Sequence, residues 1–236
     1  MNNYVVKYCG SIDVSSDYVK SNKELMGIAK SIKKLIEIGK DDFIPPLDYR
    51  NDSVGGETLK VSNLEYVGIE PYLEKVLRQK NIVVLTPEGE VVSFMSFRHE
   101  HDEKYYLSKI VGSGDVVNYV TTLITSPTHL GRGLAKCLYD YIENRLPKDA
   151  RGTCVATRTW HTNVEHIGLI ERRGYERVCT LHKQREWKCN ETGNHEFYDT
   201  VYYCKRVEDA EKISMQLSVK EIMLVKDYRV SKREGK

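Results

Sequence analysis

TTLITSPTHLGRGLA, residues 121–135, runs from an apolar strand through a turn with two glycines into an amphipathic helix. The first N–H groups of a helix lack intrahelical partners and carry partial positive charge. Gly131 and Gly133 have no side chains that would keep a ligand away from those groups. The sequence therefore predicts a phosphate site built from the backbone. The helix is predicted because four apolar residues recur at every fourth position, namely Leu134, Leu138, Ile142 and Leu146.

Two common phosphate-binding turns do not match this stretch. A P-loop places Lys and then Ser or Thr after its last glycine, whereas Gly133 is followed by Leu134 and Ala135. The dinucleotide-binding pattern G-x-G-x-x-G needs a third glycine where this chain has Lys136. Another class of phosphate-bearing ligand is therefore indicated.

The stretch resembles the acetyl-coenzyme A motif of the GNAT acetyltransferase superfamily, in which Arg/Gln-x-x-Gly-x-Gly/Ala follows a strand ending Leu-x-Val-x-Pro. Here the motif reads LGRGLA at residues 130–135, after LITSP at residues 123–127. Leu130 replaces the usual Arg or Gln, and Thr125 replaces the usual Val. The resemblance implies that backbone N–H groups hold most of the pyrophosphate, and Arg132 can add positive charge.

A second motif follows at residues 163–175, NVEHIGLIERRGY, and predicts a short helix that Gly174 ends. It resembles the next element of the superfamily, Asn-x-x-Ala-x-x-x-Tyr-x-x-x-Gly-Phe, and Asn163, Gly174 and Tyr175 match it in register. The resemblance implies that Asn163 reaches the pantetheine or phosphate arm. It makes acetyl-CoA the expected co-substrate and assigns its binding to Leu123, Ile124, Thr125, Leu130, Gly131, Arg132, Gly133, Leu134, Ala135 and Asn163.

The same alignment lacks both residues that commonly handle protons in the superfamily. The tyrosine that often protonates the departing thiolate falls on Ile170, and the glutamate of the preceding strand falls on Thr121. Other residues near the motifs are candidates: His161 as a base, because histidine titrates near neutral pH, and Tyr139 or Tyr119 as an acid. Each has a simpler interpretation as a structural residue.

A charged loop, HEHDE at residues 99–103, offers another base, although such a loop is usually only solvated. It lacks the i, i+4 pairing of a helical zinc site, so no metal is predicted.

Composition describes a globular protein. The 236 residues carry 36 Lys and Arg against 34 Asp and Glu, a net charge of +2, which gives no reason to expect a nucleic-acid partner. No run approaches the roughly 18 apolar residues of a membrane span. The N-terminus lacks the pattern of a secretory signal, and the six cysteines form no C-x-x-C pair, which favours reduced thiols. A cytoplasmic location and no membrane partner are expected.

The predicted elements follow the order of the GNAT core. Helices are predicted at 21–39 and 70–79, a hairpin at 81–97, and strands at 116–125, 152–160, 177–187 and 197–207. The implied fold is mixed α/β, a twisted mixed sheet flanked by helices and splayed between its fourth and fifth strands. Three regions are predicted: an N-terminal helical region on the acceptor side (1–80), the acetyl-CoA-binding core (81–207), and a C-terminal extension with a basic tail (208–236).

The resulting hypothesis is an acyl-CoA-dependent N-acyltransferase that moves acetyl from acetyl-CoA to a primary amine by direct attack. The acceptor would be a small molecule or a peptide. The alternative is a catalytically weak or inactive module of the same fold that binds CoA or a partner protein. The C-terminal extension could pack on the sheet or on a second copy in a homodimer, and no aromatic-basic motif supports a nucleic-acid-binding function.

Overall fold

Eight strands form one mixed sheet in the computed structural model, which describes residues 4–51, 61–99, 104–107, 109–188, 193–207 and 224–225. The helices are α1 (Asp17–Ser21), α2 (Lys23–Gly39), α3 (Glu70–Arg78), α4 (Leu134–Asn144) and α5 (Val164–Arg172). The strands are β1 (Tyr4–Gly10), β2 (Tyr49–Asn51), β3 (Leu64–Tyr66), β4 (Lys80–Leu85), β5 (Val91–Arg98), β6 (Val117–Thr125), β7 (Cys154–Trp160), β8 (Glu176–Lys188), β9 (His195–Arg206) and β10 (Leu224–Val225).

The strand order of the large sheet is β10-β1-β4-β5-β6-β7-β9-β8, and β2 and β3 pair separately. All neighbours in the large sheet are antiparallel except β6 and β7, which are parallel and are connected through α4. The sequence-based prediction of a mixed α/β fold with a large mixed sheet is confirmed.

Helices cover both faces of the sheet. One face packs against α4 and α5. The apolar stripe predicted on α4 is buried in the core of this face, which includes Leu134, Leu138, Ile142 and Leu146. The other face packs against α2 and α3, where Ile32 and Ile36 meet Phe94 and Ile124 of the sheet. We call these the cofactor face and the acceptor face, respectively, after the roles that the GNAT resemblance implies for them.

The sheet opens between β6 and β7. The two strands pair from Val117 with Cys154 up to Val120 with Thr157, and no pairing continues beyond that point. Residues 122–125 of β6 still pair with β5 on their other side. These are the fourth and fifth strands of the large sheet in chain order, so the predicted splay is present, and it leaves one edge of β6 open.

Local signals in the sequence placed most of the long elements. Asn22 caps α2 by accepting hydrogen bonds from the N–H groups of Glu24 and Leu25, and Gly174 follows α5 with φ 81°. The predicted helix over 70–79 and hairpin over 81–97 form α3 and β4–β5.

Strand β1 was not predicted. Only Tyr4 and Val6 of its seven residues are buried, so the alternation is too short to stand out in the sequence. It nevertheless pairs with β4 inside the large sheet. In the C-terminal extension, residues 224–225 pair with β1. The predicted basic tail at 226–236 and most of the charged loop at 99–103 lie outside the described residues.

Candidate active site

The turn before α4 presents a row of backbone donors. Gly131 and Gly133 have φ angles of 72° and 77°, a region that favours glycine, and a Cβ at either position would meet nothing within 4 Å. Among the described residues, nothing accepts a hydrogen bond from the N–H groups of residues 131–135. The first recorded bond of the helix runs from the N–H of Cys137 to the carbonyl of Gly133. The turn is therefore open and has the donors that a pyrophosphate needs.

Arg132 ties this turn to the sheet. Its Nη1 donates to the Tyr4 hydroxyl of β1 at 2.7 Å, and its Nη2 donates to the carbonyl of Thr128 at 3.3 Å. The ring of His129 contacts Tyr4 edge-on at 6.0 Å. Burial, and then the charge of Arg132, lower the pKa of His129, which favours the neutral form of its ring beside the turn. The charge predicted at Arg132 is present and fixed in place.

The residues of β6 that are predicted to bind the co-substrate use their side chains within the fold. Ile124 is buried in the acceptor-face core, and Leu123 packs on the cofactor-face core. The Thr125 hydroxyl pairs with that of Ser93 at 2.7 Å. These side chains hold the strand, while its edge beyond Val120 faces the gap without a strand partner.

The opposite side of the gap is formed by β7 and the start of α5. Asn163 caps α5, because its side-chain oxygen accepts the N–H of His166 at 3.3 Å. This contact occupies the oxygen and leaves the amide nitrogen of Asn163 for a ligand. Thr159 lies on β7 past the point of divergence, and its buried hydroxyl has no hydrogen-bond partner among the described residues. A buried orphan hydroxyl next to the gap fits the amides of a pantetheine arm, and the motif did not indicate it.

A basic pocket of about 340 Å³ lies between α4 and α5. It is lined by Lys136, Leu169, Arg172 and Arg173. Arg173 is ion-paired with Asp140 and Glu143, at 2.5 Å and 3.0 Å, and so joins the two helices. The charge of Arg173 is therefore used within the fold, whereas Lys136 and Arg172 are the other basic residues of the pocket.

Tyr139, a predicted acid, is buried in the core of the cofactor face. It is fully buried, its hydroxyl lies 2.8 Å from Nε2 of His166, and its ring packs edge-on against Tyr175. Burial raises the pKa of Tyr139 well above its usual value. Because water and substrate have no access to this hydroxyl, the geometry argues against its role as an acid. Ile170, at the position of the family tyrosine, is also fully buried.

His161, the predicted base, is exposed between β7 and α5. The ring nitrogen Nδ1 accepts a hydrogen bond from the backbone N–H of Asp199 at 3.0 Å. The backbone N–H of His161 donates to the Asp199 carbonyl at 2.9 Å. A neutral ring that accepts at Nδ1 carries its proton on Nε2. The hydrogen bond at Nδ1 therefore favours the tautomer in which Nε2 carries the proton. In this tautomer Nε2 has no free lone pair to accept a proton from a substrate, which argues against His161 as the base.

A hydroxyl pair that the sequence did not indicate lies at the open part of β6. The Tyr72 hydroxyl of α3 meets the Thr122 hydroxyl at 2.6 Å on the acceptor face, and burial raises the pKa of Tyr72. Thr121, at the position of the family glutamate, donates to the side-chain oxygen of Gln79 at 2.5 Å. Tyr119, the other predicted acid, is also on this face, with its ring 5.8 Å from the Arg98 guanidinium.

Aromatic residues surround the acceptor face outside these hydroxyls. Phe43, after α2, contacts Trp160 at the end of β7 with ring centres 5.9 Å apart. Tyr49 contacts Trp187 of β8 at 5.3 Å and Tyr66 of β3 at 5.5 Å. The segment after α2 therefore closes against the long β8–β9 hairpin and forms a wall beside the gap.

In the part of the chain that the structure describes, no group of three or more His, Cys, Asp or Glu is arranged to hold a metal ion. Within the same residues, no helix combines the length and the apolar character that crossing a bilayer requires.

The family model described as the acetyltransferase (GNAT) family matches residues 58–175. This is half of the chain, and the chain belongs to that family. It is an acetyltransferase whose co-substrate is acetyl-CoA. The match includes both motifs, and the open turn and the splayed strands are the features of this chain that fit the co-substrate.

Solved structures share the fold at low sequence identity. The Arabidopsis thaliana NAA60 in complex with acetyl-CoA aligns with a TM-score of 0.55 at 15% identity, over 87% of this chain and 99% of that chain. A putative acetyltransferase, ACIAD1637 from Acinetobacter baylyi ADP1, gives 0.56 at 13% identity, over 87% and 94%. The ribosomal-protein-S18-alanine N-acetyltransferase from Escherichia coli gives 0.51 at 9%, over 88% and 96%. A sequence search of curated proteins found no match.

Proposed function

We propose that this protein transfers the acetyl group of acetyl-CoA directly to a primary amine of a small molecule or peptide. The observation that carries the proposal is the gap between β6 and β7, which opens beside a glycine turn whose N–H groups have no acceptor among the described residues. The gap connects the phosphate-binding turn on the cofactor face with a hydroxyl-lined and aromatic acceptor face. One ligand can therefore cross the sheet and meet a second ligand.

Acetyl-CoA would be bound by residues on both sides of the gap. The N–H groups of residues 131–135 would bind the pyrophosphate, and the charge of Arg132 would support them. The open edge of β6 at Leu123, Ile124 and Thr125 would bind the pantetheine amides and polarise the thioester carbonyl. Asn163 and Thr159 would bind the same arm from the β7 side.

The chemistry needs alignment more than a strong acid. A neutral amine attacks the thioester carbonyl, the C–N bond forms, the C–S bond breaks, and CoA leaves as a thiol after taking up a proton. The Tyr72 and Thr122 hydroxyl pair lies where the amine would enter, and it can relay the ammonium proton to water. This assignment replaces Tyr139 and His161, whose surroundings argue against proton transfer.

Two features favour the rival, a module that binds CoA with little or no turnover. Ile170 and Thr121 cannot act as the family's acid and base, and Thr121 is hydrogen-bonded to Gln79. Such a module would bind the co-substrate without releasing thiol faster in the presence of amines.

Three measurements on the wild-type protein test the proposal. Acetyl-CoA is first titrated by calorimetry, and thiol release is then followed with a panel of amines and short peptides. Mass spectrometry of the mixture should find the acetyl group on the acceptor and none on the protein, as direct attack requires. Binding without amine-dependent thiol release would support the rival, and a failure to bind would overturn both.

A further inference from the structure

Two arginines meet on the acceptor face, next to the gap. Arg158 is the first residue of β7 beyond the last pair with β6, so it lies where the sheet opens. Its Nη1 donates to the Tyr202 hydroxyl at 3.1 Å. Arg185 reaches the same region from β8, and its Nη1 donates to the carbonyl of Ile44 after α2. The two guanidinium groups lie close enough for their positive charges to influence each other.

Among the described residues, the surroundings of Arg185 are short of negative charge. Arg185 is half-buried, and no carboxylate among the described residues lies within salt-bridge distance of it. Burial first, and then the charge of Arg158, lower the pKa of Arg185 to about 10. The hydroxyl groups of Tyr72, Tyr119 and Tyr202 are its other polar neighbours in this region. A partly desolvated cation beside a like charge is unfavourable unless an anion accompanies it.

Arg185 differs in its partners from two arginines that stabilise the fold of this protein. Arg173 is also partly buried, but it is matched by Asp140 and Glu143 within the fold. Arg206 is matched by Asp115 at 2.6 Å. Arg185 has only a backbone carbonyl as its hydrogen-bond acceptor among the described residues. Its charge is left for a ligand rather than for the fold.

We infer that the acceptor carries a carboxylate in addition to its amine, and that Arg185 and Arg158 bind this carboxylate on the acceptor face. The inference rests on the proposed function and specifies its substrate class. The amine would point toward the Tyr72 and Thr122 hydroxyls at the open edge of β6. A planar guanidinium suits a carboxylate because it can donate two parallel hydrogen bonds.

Matched acid and amide pairs test this inference. The probes are N-acetylated glycine, β-alanine and 4-aminobutanoate with their primary amides, and N-acetyl dipeptide amides with Asp or Asn as the second residue. Each is titrated by calorimetry into protein saturated with CoA. We expect at least one acid to bind about tenfold more tightly than its amide. The first set reports a free amino acid, and the second reports an acidic peptide.

Variants show whether the arginines cause the preference. Arg185→Gln should abolish the difference between acid and amide, and Arg185→Lys should retain part of it. Arg158→Gln gives a second reading at an exposed position, where misfolding is less of a concern. Arg78→Gln, an exposed arginine on α3, should leave the preference unchanged. No preference for any acid, or a preference that persists in both Arg185→Gln and Arg158→Gln, would overturn the inference. Failure of acetyl-CoA itself to bind would instead overturn the proposed function.

Discussion

The cofactor face and the acceptor face are built by different means. The predicted co-substrate site of the cofactor face is mainly one continuous stretch, residues 121–135, which would offer mainly backbone groups to acetyl-CoA. The acceptor face collects side chains from distant parts of the chain, including Phe43, Tyr72, Arg158 and Arg185. A local backbone site tolerates many side-chain changes, such as Leu130 in place of the family's Arg or Gln. A site assembled from distant side chains can change its ligand through one substitution at a time.

The largest expected effect is on the cofactor face. Gly133→Glu should weaken acetyl-CoA binding by about 1,000-fold or more, because the carboxylate repels the pyrophosphate and the position has a positive φ. Calorimetric titration measures this. Gly89→Glu is the matched control, since Gly89 has a φ of 85° in the turn between β4 and β5. Equal loss in both variants would assign the effect to backbone strain alone, and unchanged binding would refute a backbone phosphate site.

A second prediction concerns the buried contact between α4 and α5. Burial lowers the pKa of His166 from 6.5 to about 4. The unfolded chain therefore takes up this proton more readily than the folded one, and stability should fall as the pH decreases from about 6.5 to 4. The loss should reach roughly 3 kcal/mol at the low end, since one pKa unit corresponds to about 1.4 kcal/mol.

Denaturant unfolding at a series of pH values measures this effect, and His166→Gln is the control that lacks the titrating ring. Identical pH profiles for the two proteins would contradict the prediction. A difference would show that the cofactor face, too, depends on buried side chains.

Tyr72→Phe should separate the two faces. We expect kcat/KM for the amine to fall about tenfold, because the hydroxyl next to Thr122 is lost. Acetyl-CoA affinity should change by less than about twofold, since backbone groups on the other side of the gap bind it. Initial rates and calorimetry provide the two readings, and Tyr18→Phe, at an exposed position, is the control. A parallel fall in acetyl-CoA affinity would show that the two faces are not independent.

Leu130→Arg should give the smallest effect, and it should strengthen acetyl-CoA binding rather than weaken it. Leu130 is 63% exposed at the turn, so an arginine there can approach the pyrophosphate without disturbing the core. We expect acetyl-CoA to bind about threefold more tightly at low salt, with the gain lost as salt screens the charge. Leu130→Gln adds polarity without charge and should give little gain. A gain that does not depend on salt would contradict an electrostatic cause.

The sequence predicted those parts of the site whose residues lie next to one another in the chain. The strand, turn and helix at residues 121–135 follow one another, so spacing alone places the glycines at the helix N-terminus. Asn163 and Gly174 are likewise local caps, and both lie at the ends of α5 as predicted. The predicted cofactor contacts themselves stay predictions, to be tested by the variants at Gly133 and Leu130.

The suitability of Tyr139 and His161 for proton transfer depends on contacts with distant residues, which sequence spacing does not reveal. Tyr139 follows Leu138 in a helix that is buried on more than one side, because α5 covers the flank that faces Tyr139. The tautomer of His161 is set by Asp199, which is 38 residues away in the chain. Neither neighbour can be identified from the local pattern.

The sequence by itself determined the order of the main elements, the open glycine turn and the family to which the chain belongs, because each depends on residues close together in the chain. Only the tertiary structure decided that β1 joins the sheet, that Tyr139 is enclosed, and that Arg158 and Arg185 meet on the acceptor face. The physical reason is that burial and charge pairing depend on which distant segments pack together. No local spacing encodes that packing, so the arginines on which the acceptor proposal rests are brought near each other only in the folded chain.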